Sequence, residues 1–314
     1  MTPQLQVVVP TLGRSPVLAE VLAALAAERD TAGGPLDVVV VRQGAVEVPA
    51  GRHRELHLPD PVGFSAAVNR GIAAGEAPFV ATVNDDAVVE PGWAASLLRV
   101  LGAEPGLAAV QGVNRQSEYP ERADGWGLAW NRWLQAVQIG HGGPLPPADS
   151  APREVFGVSA TAAVYRRSAL VAVARTGPTG GGEIFDERLG SYYEDVELAG
   201  RLRAAGFVAR AVPAARARHA GATSLGGRRW RWVYGNRYRV AAQLLGRTFW
   251  WHLPRLLLRD GIDLGRFLLR ADFASAAEVL AGGWRAARAL PGHLRWGSPA
   301  VPLGELRRGL EEAP

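Results

Sequence analysis

Three stretches of this chain concentrate side chains that could do chemistry. Asn84-Asp85-Asp86 follows the uncharged apolar run Phe79 to Val83. Carboxylates at a strand end can hold Mg2+ or Mn2+ by one or two oxygens and leave the other positions to water and phosphate, so a diphosphate would fit. An acidic turn before the helix that begins near Pro91 would use the same residues. Phe185-Asp186-Glu187 and Glu194-Asp195-Val196-Glu197-Leu198 bring acids to positions 186, 187, 194, 195 and 197. A carboxylate held in a cleft can act as general base toward a hydroxyl, and Glu194 and Asp195 at a helix start could equally complement its dipole. Gly63 to Gly71 opens a helix with small residues and places Asn69 one turn in. Small side chains admit an anion to the free N–H groups of a helix N-terminus, or simply allow close packing. The segment is neither a P-loop nor a dinucleotide fingerprint. His219 stands apart, and a lone histidine serves structural, surface and ligating roles alike.

Composition removes other chemistries. The 314 residues include no cysteine, so disulfides, thiolate metal sites and cysteine nucleophiles are excluded. All 35 basic residues are arginine, which excludes a catalytic lysine. Residues 1–200 hold 15 Arg against 23 acids, and residues 201–314 hold 20 Arg against 7 acids. An acidic front with a basic rear points to an anionic partner, a membrane surface or a nucleic acid. The first residues lack a basic start and apolar stretch, and no run of about 18 apolar residues occurs. The expectation is a cytoplasmic chain that does not span a bilayer.

The elements that must position these residues alternate. Val7-Val8-Val9, Leu36 to Val41, a weaker run at Leu56-His57-Leu58, and Phe79 to Val83 read as strands. Helices are expected after Ser15-Pro16, over about 65–74 and after Pro91. Such alternation implies βαβ units and a mostly parallel sheet with helices on both faces. Ligands sit at the carboxyl ends of such strands, which makes Pro10-Thr11, Arg42-Gln43-Gly44 and Asn84-Asp85-Asp86 neighbours. Residues 114–152 show no periodicity and read as an excursion over the site. A strand is expected at Ala160 to Tyr165, a Gly-rich loop at 177–182, and a helix over about 193–205 closed by Gly206.

Taken together and in order, Val8-Val9-Pro10-Thr11, Gly63 to Gly71, Asn84-Asp85-Asp86, Phe185-Asp186-Glu187, Glu194 to Leu198 and His219 resemble glycosyltransferase family 2 over residues 5–225. The similarity is to its inverting, metal-dependent GT-A enzymes, and most to rhamnosyltransferase- and galactofuranosyltransferase-like members. The resemblance implies a GT-A catalytic domain over 1–225, with a nucleotide-sugar half of about 1–113 and an acceptor half of about 153–225. It implies that Pro10, Thr11, Arg14, Gln43, Gly63, Asn69, Asn84 and Asp85 bind the nucleotide sugar. Gln43 departs from the Asp or Asn usual in that turn, and Asn84 replaces the first acid of the Asp-X-Asp position. Asp86 and His219 would hold Mn2+ or Mg2+, and Asp195 beside Glu194 would be the general base.

Residues 226–314 lie beyond the resemblance. Trp230, Val233, Tyr234, Tyr238, Ala241, Leu244 and Leu245 recur at helical spacing, and Arg255, Arg259, Arg266 and Arg270 would share one face of a later helix that Gly261 and Gly265 weaken. Aromatic and leucine residues opposite arginine suit a helix lying on an anionic membrane, and an appendage packed on the catalytic domain would also fit. The function expected is transfer of a sugar from a nucleoside diphosphate, UDP or dTDP, to a lipid-linked or cell-envelope glycan at the inner face of the cytoplasmic membrane. A sugar nucleotidylyltransferase and a basic nucleic-acid-binding protein are the alternatives, the latter through phosphate contacts and stacking.

Overall fold

The computed structural model describes residues 3–176, 182–221 and 229–293. Its first half runs β1 (Leu5–Thr11), α1 (Leu18–Ala27), β2 (Asp37–Gln43), β3 (Arg54–Leu58), α2 (Phe64–Ala73), β4 (Phe79–Val83), β5 (Ala87–Val89), α3 (Trp93–Ala103) and β6 (Leu107–Gln116). Three short strands follow, β7 (Ala123–Gly125), β8 (Leu128–Trp130) and β9 (Ala136–Gln138), so residues 114–152 are an ordered excursion. The second half is β10 (Arg153–Val155), β11 (Ala162–Arg166), α4 (Arg167–Ala172), β12 (Arg175–Thr176), β13 (Gly182–Glu183), α5 (Glu194–Ala204) and β14 (Val208–His219). Helices α6 (Arg229–Leu245), α7 (Phe249–Leu269) and α8 (Phe273–His293) end the described chain. Most of the expected Gly-rich loop, 177–181, and the segment 222–228 lie outside the described residues.

The main sheet has the order β10-β14-β6-β11-β4-β1-β2-β3, with β5 on β14 and β7 on β6. Val7 and Val9 of β1 pack with α1 and α3 on one face, while Val8 packs with α2 on the other, which is why the strand reads as a continuous apolar run. Gly71 makes the second contact possible, since a Cβ there would lie 2.3 Å from Val8. Strands β4, β1, β2 and β3 are parallel, as the alternation requires, but β11 runs antiparallel between β4 and β6. That reversal brings the segment entering β11 to the sheet edge where β1 and β4 end, and the Asn84 amide donates to Thr161 O at 2.8 Å there.

Helix starts differ slightly from the sequence reading. α1 begins at Leu18 because Ser15 and Pro16 form a turn, in which the Ser15 carbonyl accepts from the Leu18 amide. α3 begins at Trp93, and the Glu28 carboxylate accepts from the Gly92 and Ala94 amides at 2.7 Å each, capping the helix from another element. Gly206 has φ +85° and closes α5 as expected. α7 passes through Gly261 and Gly265 unbroken. Among the described residues no helix is long and apolar enough to cross a membrane.

Candidate active site

The carboxyl ends of β1, β2 and β4 supply the donor side. Thr11 Oγ1 donates to Asp85 Oδ2 at 2.6 Å and accepts from the Gly13 amide at 2.9 Å, locking the turn after β1 against the turn after β4. Burial pushes the Asp85 carboxyl up, and the Thr11 hydroxyl offsets part of that rise. Pro10 is buried behind Thr11, and Arg14 is exposed on the following loop. Gln43 is buried, and its Oε1 accepts from the Val62 amide at 2.9 Å, tying β2 to the loop that reaches Gly63 with φ +87°.

Asn69 is committed to the protein. Its Nδ2 donates to Phe185 O at 2.8 Å and to Glu187 Oε1 at 3.1 Å, and its Oδ1 accepts from the Phe185 amide at 2.9 Å. The first turn of α2 is also engaged, since the Ser65 amide donates to Gly190 O at 3.0 Å. Close packing therefore accounts for much of the small-residue segment, and α2 positions the loop over residues 185–190.

Asp86 and His219 meet because β5 pairs with the end of β14, with His219 opposite Ala87. His219 Nε2 lies 3.3 Å from Asp86 Oδ1, and its Nδ1 lies 2.9 Å from Asp124 Oδ2. Burial alone would lower the imidazole, but hydrogen bonds and charge from Asp124 and Asp86 push it up to about 10. Burial would raise Asp124, and the His219 hydrogen bond and charge hold it below the usual carboxylate range. Adjacent ligands of one octahedral ion with bonds near 2.1 Å are roughly 3 Å apart, so this carboxylate and imidazole suit a shared divalent ion. Their mixed oxygen and nitrogen set suits Mn2+ at least as well as Mg2+. Among the described residues no group of three or more His, Asp or Glu side chains is placed to hold an ion by itself. Asp124 was not legible as a site residue, because it sits in an aperiodic, Gly- and Trp-rich stretch. It faces the ring nitrogen that would not ligate, the usual place for a carboxylate orienting a metal-bound histidine.

The structure sorts the five acids at positions 186, 187, 194, 195 and 197. Asp186 is fully buried and held by Arg188 at 2.6 Å and Arg175 at 2.8 Å. Glu197 is held by Arg201 at 2.8 Å and Arg175 at 3.3 Å. Glu187 takes Asn69 and lies 3.9 Å from Arg70. Glu194 and Asp195, which open α5, have no arginine partner among the described residues. Glu194 is buried, one oxygen has no hydrogen-bond partner, and burial with the Asp195 charge pushes its carboxyl well up. Asp195 is partly accessible and accepts from the Ala160 amide at 3.2 Å and the Val196 amide at 2.8 Å. Burial raises Asp195 too, and those amides with Ser159 restrain the rise. Ala160 adjoins Thr161, the partner of Asn84, so Asp195 and the Asp85-Asp86 turn are linked through one short backbone segment.

Residues outside the sequence resemblance hold this carboxylate in place. Tyr192 and Tyr193 adopt left-handed φ values of 68° and 71°, a conformation that costs non-glycine residues about 1–2 kcal/mol each. Buried Asn236 of α6 donates to Leu189 O at 2.9 Å, Ser191 O at 3.0 Å and Tyr192 O at 2.8 Å, and Arg285 of α8 donates to Asn236 Oδ1 at 2.9 Å. A Cβ on Gly200 of α5 would lie 2.1 Å from Leu244 of α6, so the helices touch directly. α6 is thus a packed helix behind the loop that leads to Asp195. Asn236→Ala strips three loop carbonyls of their donor and is expected to cost about 2–3 kcal/mol, read as a lower urea midpoint. Turnover at permissive temperature falls with it, because Asp195 loses its fixed approach.

Comparison with solved structures defines the class. A mannosyltransferase from Pyrobaculum calidifontis, solved with GDP-Man and Mn2+, superposes with a TM-score of 0.53 at 17% identity, covering 91% of this chain and 88% of that one. S. aureus TarS, residues 1–349, gives 0.55 at 16% identity over 94% and 82%. The sheet with its helices on both faces is the GT-A fold of glycosyltransferases. The model of glycosyltransferase like family 2 matches residues 3–235, and the chain belongs to that family. It is a glycosyltransferase, and family membership replaces the nucleotidylyltransferase alternative. A sequence search of curated proteins finds no match.

Proposed function

We propose that this enzyme moves a sugar from a nucleoside diphosphate to an acceptor hydroxyl with inversion at the anomeric carbon, using Asp195 as general base and Asp86 with His219 as ligands of Mn2+ or Mg2+. The observation that carries the reading is Asp195 itself: a partly accessible carboxylate with no arginine partner among the described residues, held by the Val196 amide and by the amide of Ala160, whose neighbour Thr161 accepts from the Asn84 amide. Asp195 takes the acceptor proton as the hydroxyl oxygen attacks from the face opposite the diphosphate. A raised carboxyl serves that task better than an ordinary one, since proton transfer improves as the base strengthens. Glu194 behind it has its carboxyl pushed up by burial and by the Asp195 charge. Thr11 and Asp85 form the rim that meets ribose or sugar, beside Pro10 and Asn84. A divalent ion at Asp86 and His219 would supply charge neutralisation on the departing diphosphate. The acceptor is proposed to be a lipid-linked or cell-envelope glycan, and the donor a UDP- or dTDP-sugar.

A thermal-shift panel of UDP-, dTDP- and GDP-sugars, with and without Mn2+, tests this reading. One donor is expected to raise the melting temperature, and more so with Mn2+. No stabilisation by any donor would count against it.

Asp124 is assigned here as a positioning residue for His219. Asp124→Ala is expected to weaken Mn2+ binding about 10–100-fold, the usual cost of losing such a partner. Asp124→Asn, whose carbonyl can still accept from Nδ1–H, is expected to keep most of the affinity. Mn2+ titration followed by electron paramagnetic resonance checks both, and equal affinity in wild type and Asp124→Ala would remove the assignment.

A further inference from the structure

Helix α7 buries Phe249 and Leu256 against the protein and also turns an apolar stripe outward. Its inward face carries acids: Asp260 is bonded to Arg237 and Tyr238, and Asp263 takes Tyr234 Oη at 3.0 Å and Arg259 at 2.7 Å. Its outward face is apolar. Trp251, Leu258, Ile262 and Leu269 fall within about 40° of one another at 3.6 residues per turn, and Trp251 is 86% and Leu269 90% exposed. The turn after α7 leads into a second outward stripe on α8, Phe273, Leu280 and Trp284, all more than 60% exposed. Soluble monomers rarely leave contiguous apolar surface of this kind uncovered.

Arginine runs along one flank of the α7 stripe. Arg255, Arg266 and Arg270 are exposed and lie beside it on the helix wheel, and the acids of α7, Asp260 and Asp263, face inward, with Asp263 3.5 Å from Arg266. A second copy of the chain seated here would set arginine rows together with the α7 acids turned inward, whereas lipid phosphates supply the opposite charge. We infer that the outer faces of α7 and α8 form a docking surface for an anionic bilayer, with α7 lying in the interface, its Trp and Leu side chains among acyl chains and its arginines at the headgroups. The surface is mechanically joined to the loop that leads to Asp195, since α6 and Arg285 of α8 hold its carbonyls. Docking would therefore present the cleft to an acceptor carried by lipid.

Flotation of the full chain with phosphatidylcholine vesicles, with and without phosphatidylglycerol, tests this. Wild type is expected to float with the anionic vesicles only. The triple variant Arg255→Gln, Arg266→Gln, Arg270→Gln is expected to lose about a hundredfold in vesicle affinity, at roughly fivefold per arginine. Trp251→Ser with Leu269→Ser is expected to abolish flotation while the circular dichroism spectrum and melting temperature stay those of wild type. Brominated lipid should quench tryptophan fluorescence in wild type more than in Trp251→Phe. The inference is overturned if the full chain stays unbound on anionic vesicles. It is equally overturned if both variants float like wild type, or if light scattering shows a dimer that the apolar double variant dissolves without any vesicle binding.

Discussion

Asp195→Asn is expected to lower turnover by about a thousandfold, within the range for loss of a positioned general base, while donor and Mn2+ binding change little. The reason is local. Asp195 Oδ1 and Oδ2 accept from the Val196 and Ala160 amides, so the asparagine keeps the volume and one of the two bonds but cannot take a proton. Stability should move the other way. Burial raises both Glu194 and Asp195, with their mutual repulsion adding to the rise at Glu194, so the folded state holds carboxyl protons more tightly than the unfolded chain. For an acid raised on folding, the associated stability is full below its unfolded pKa and is lost as pH rises through the folded value. Ionising these buried acids is therefore a cost, and replacing one of them by a neutral side chain is expected to leave the melting temperature at neutral pH equal to wild type or higher. A dead enzyme with undiminished stability separates a catalytic role from a structural one, as active sites commonly trade stability for function. Single-turnover assays with thermal melts at pH 7 provide the two readouts.

Asp86→Ala is expected to remove metal-dependent donor binding and to reduce turnover by a factor on the order of a thousand, comparable with losing a principal electrostatic stabiliser of the transition state. Without an ion, His219 is an imidazolium clamped between Asp86 and Asp124, and its pKa is pushed up to about 10. To ligate, Nε2 must give up its proton. Mn2+ affinity should therefore rise toward tenfold per pH unit below that value, and calorimetry in buffers of different ionisation heat should register proton release. In the ion-free protein the sign runs opposite to that for Asp195: a base raised on folding adds stability that is full below about 6.5 and is lost as pH climbs through 10. Asp86→Ala removes one carboxylate of the clamp, so its melting temperature should fall more at pH 7 than at pH 10.

The donor half of the fold was legible because it obeys simple periodicities. Valine runs mark β1 and β2, and the rule that ligands gather at strand ends brings the turn holding Thr11 to the turn holding Asp85. The strand near Ala160 was legible as a strand but not in direction, since a buried run reads alike whichever way it runs. That direction is what carries Ala160 to Asp195. Spacing alone left the acids of 186–197 unsorted, because Arg175 reaches both Asp186 and Glu197 from strand β12, whereas Arg188 and Arg201 are local partners. Asp124 lay in a stretch without period, and Asn236 was one polar residue in a helix read for its aromatic and leucine spacing. Both act through contacts about 45 or more residues distant in sequence. The arginine-rich rear also proved divided: α6 serves the loop that leads to Asp195, while α7 and α8 turn apolar faces outward.

The most direct measurement is release of nucleoside diphosphate from a panel of nucleotide sugars by wild type, Asp86→Ala and Asp195→Asn, each with Mn2+ and with chelator. The expected result is turnover of one donor by wild type with Mn2+, abolished by chelator and lost in both variants, although Asp195→Asn still binds that donor. Turnover that persists at the wild-type rate in Asp195→Asn, or in wild type under chelator, would contradict a metal-dependent transfer driven by that carboxylate.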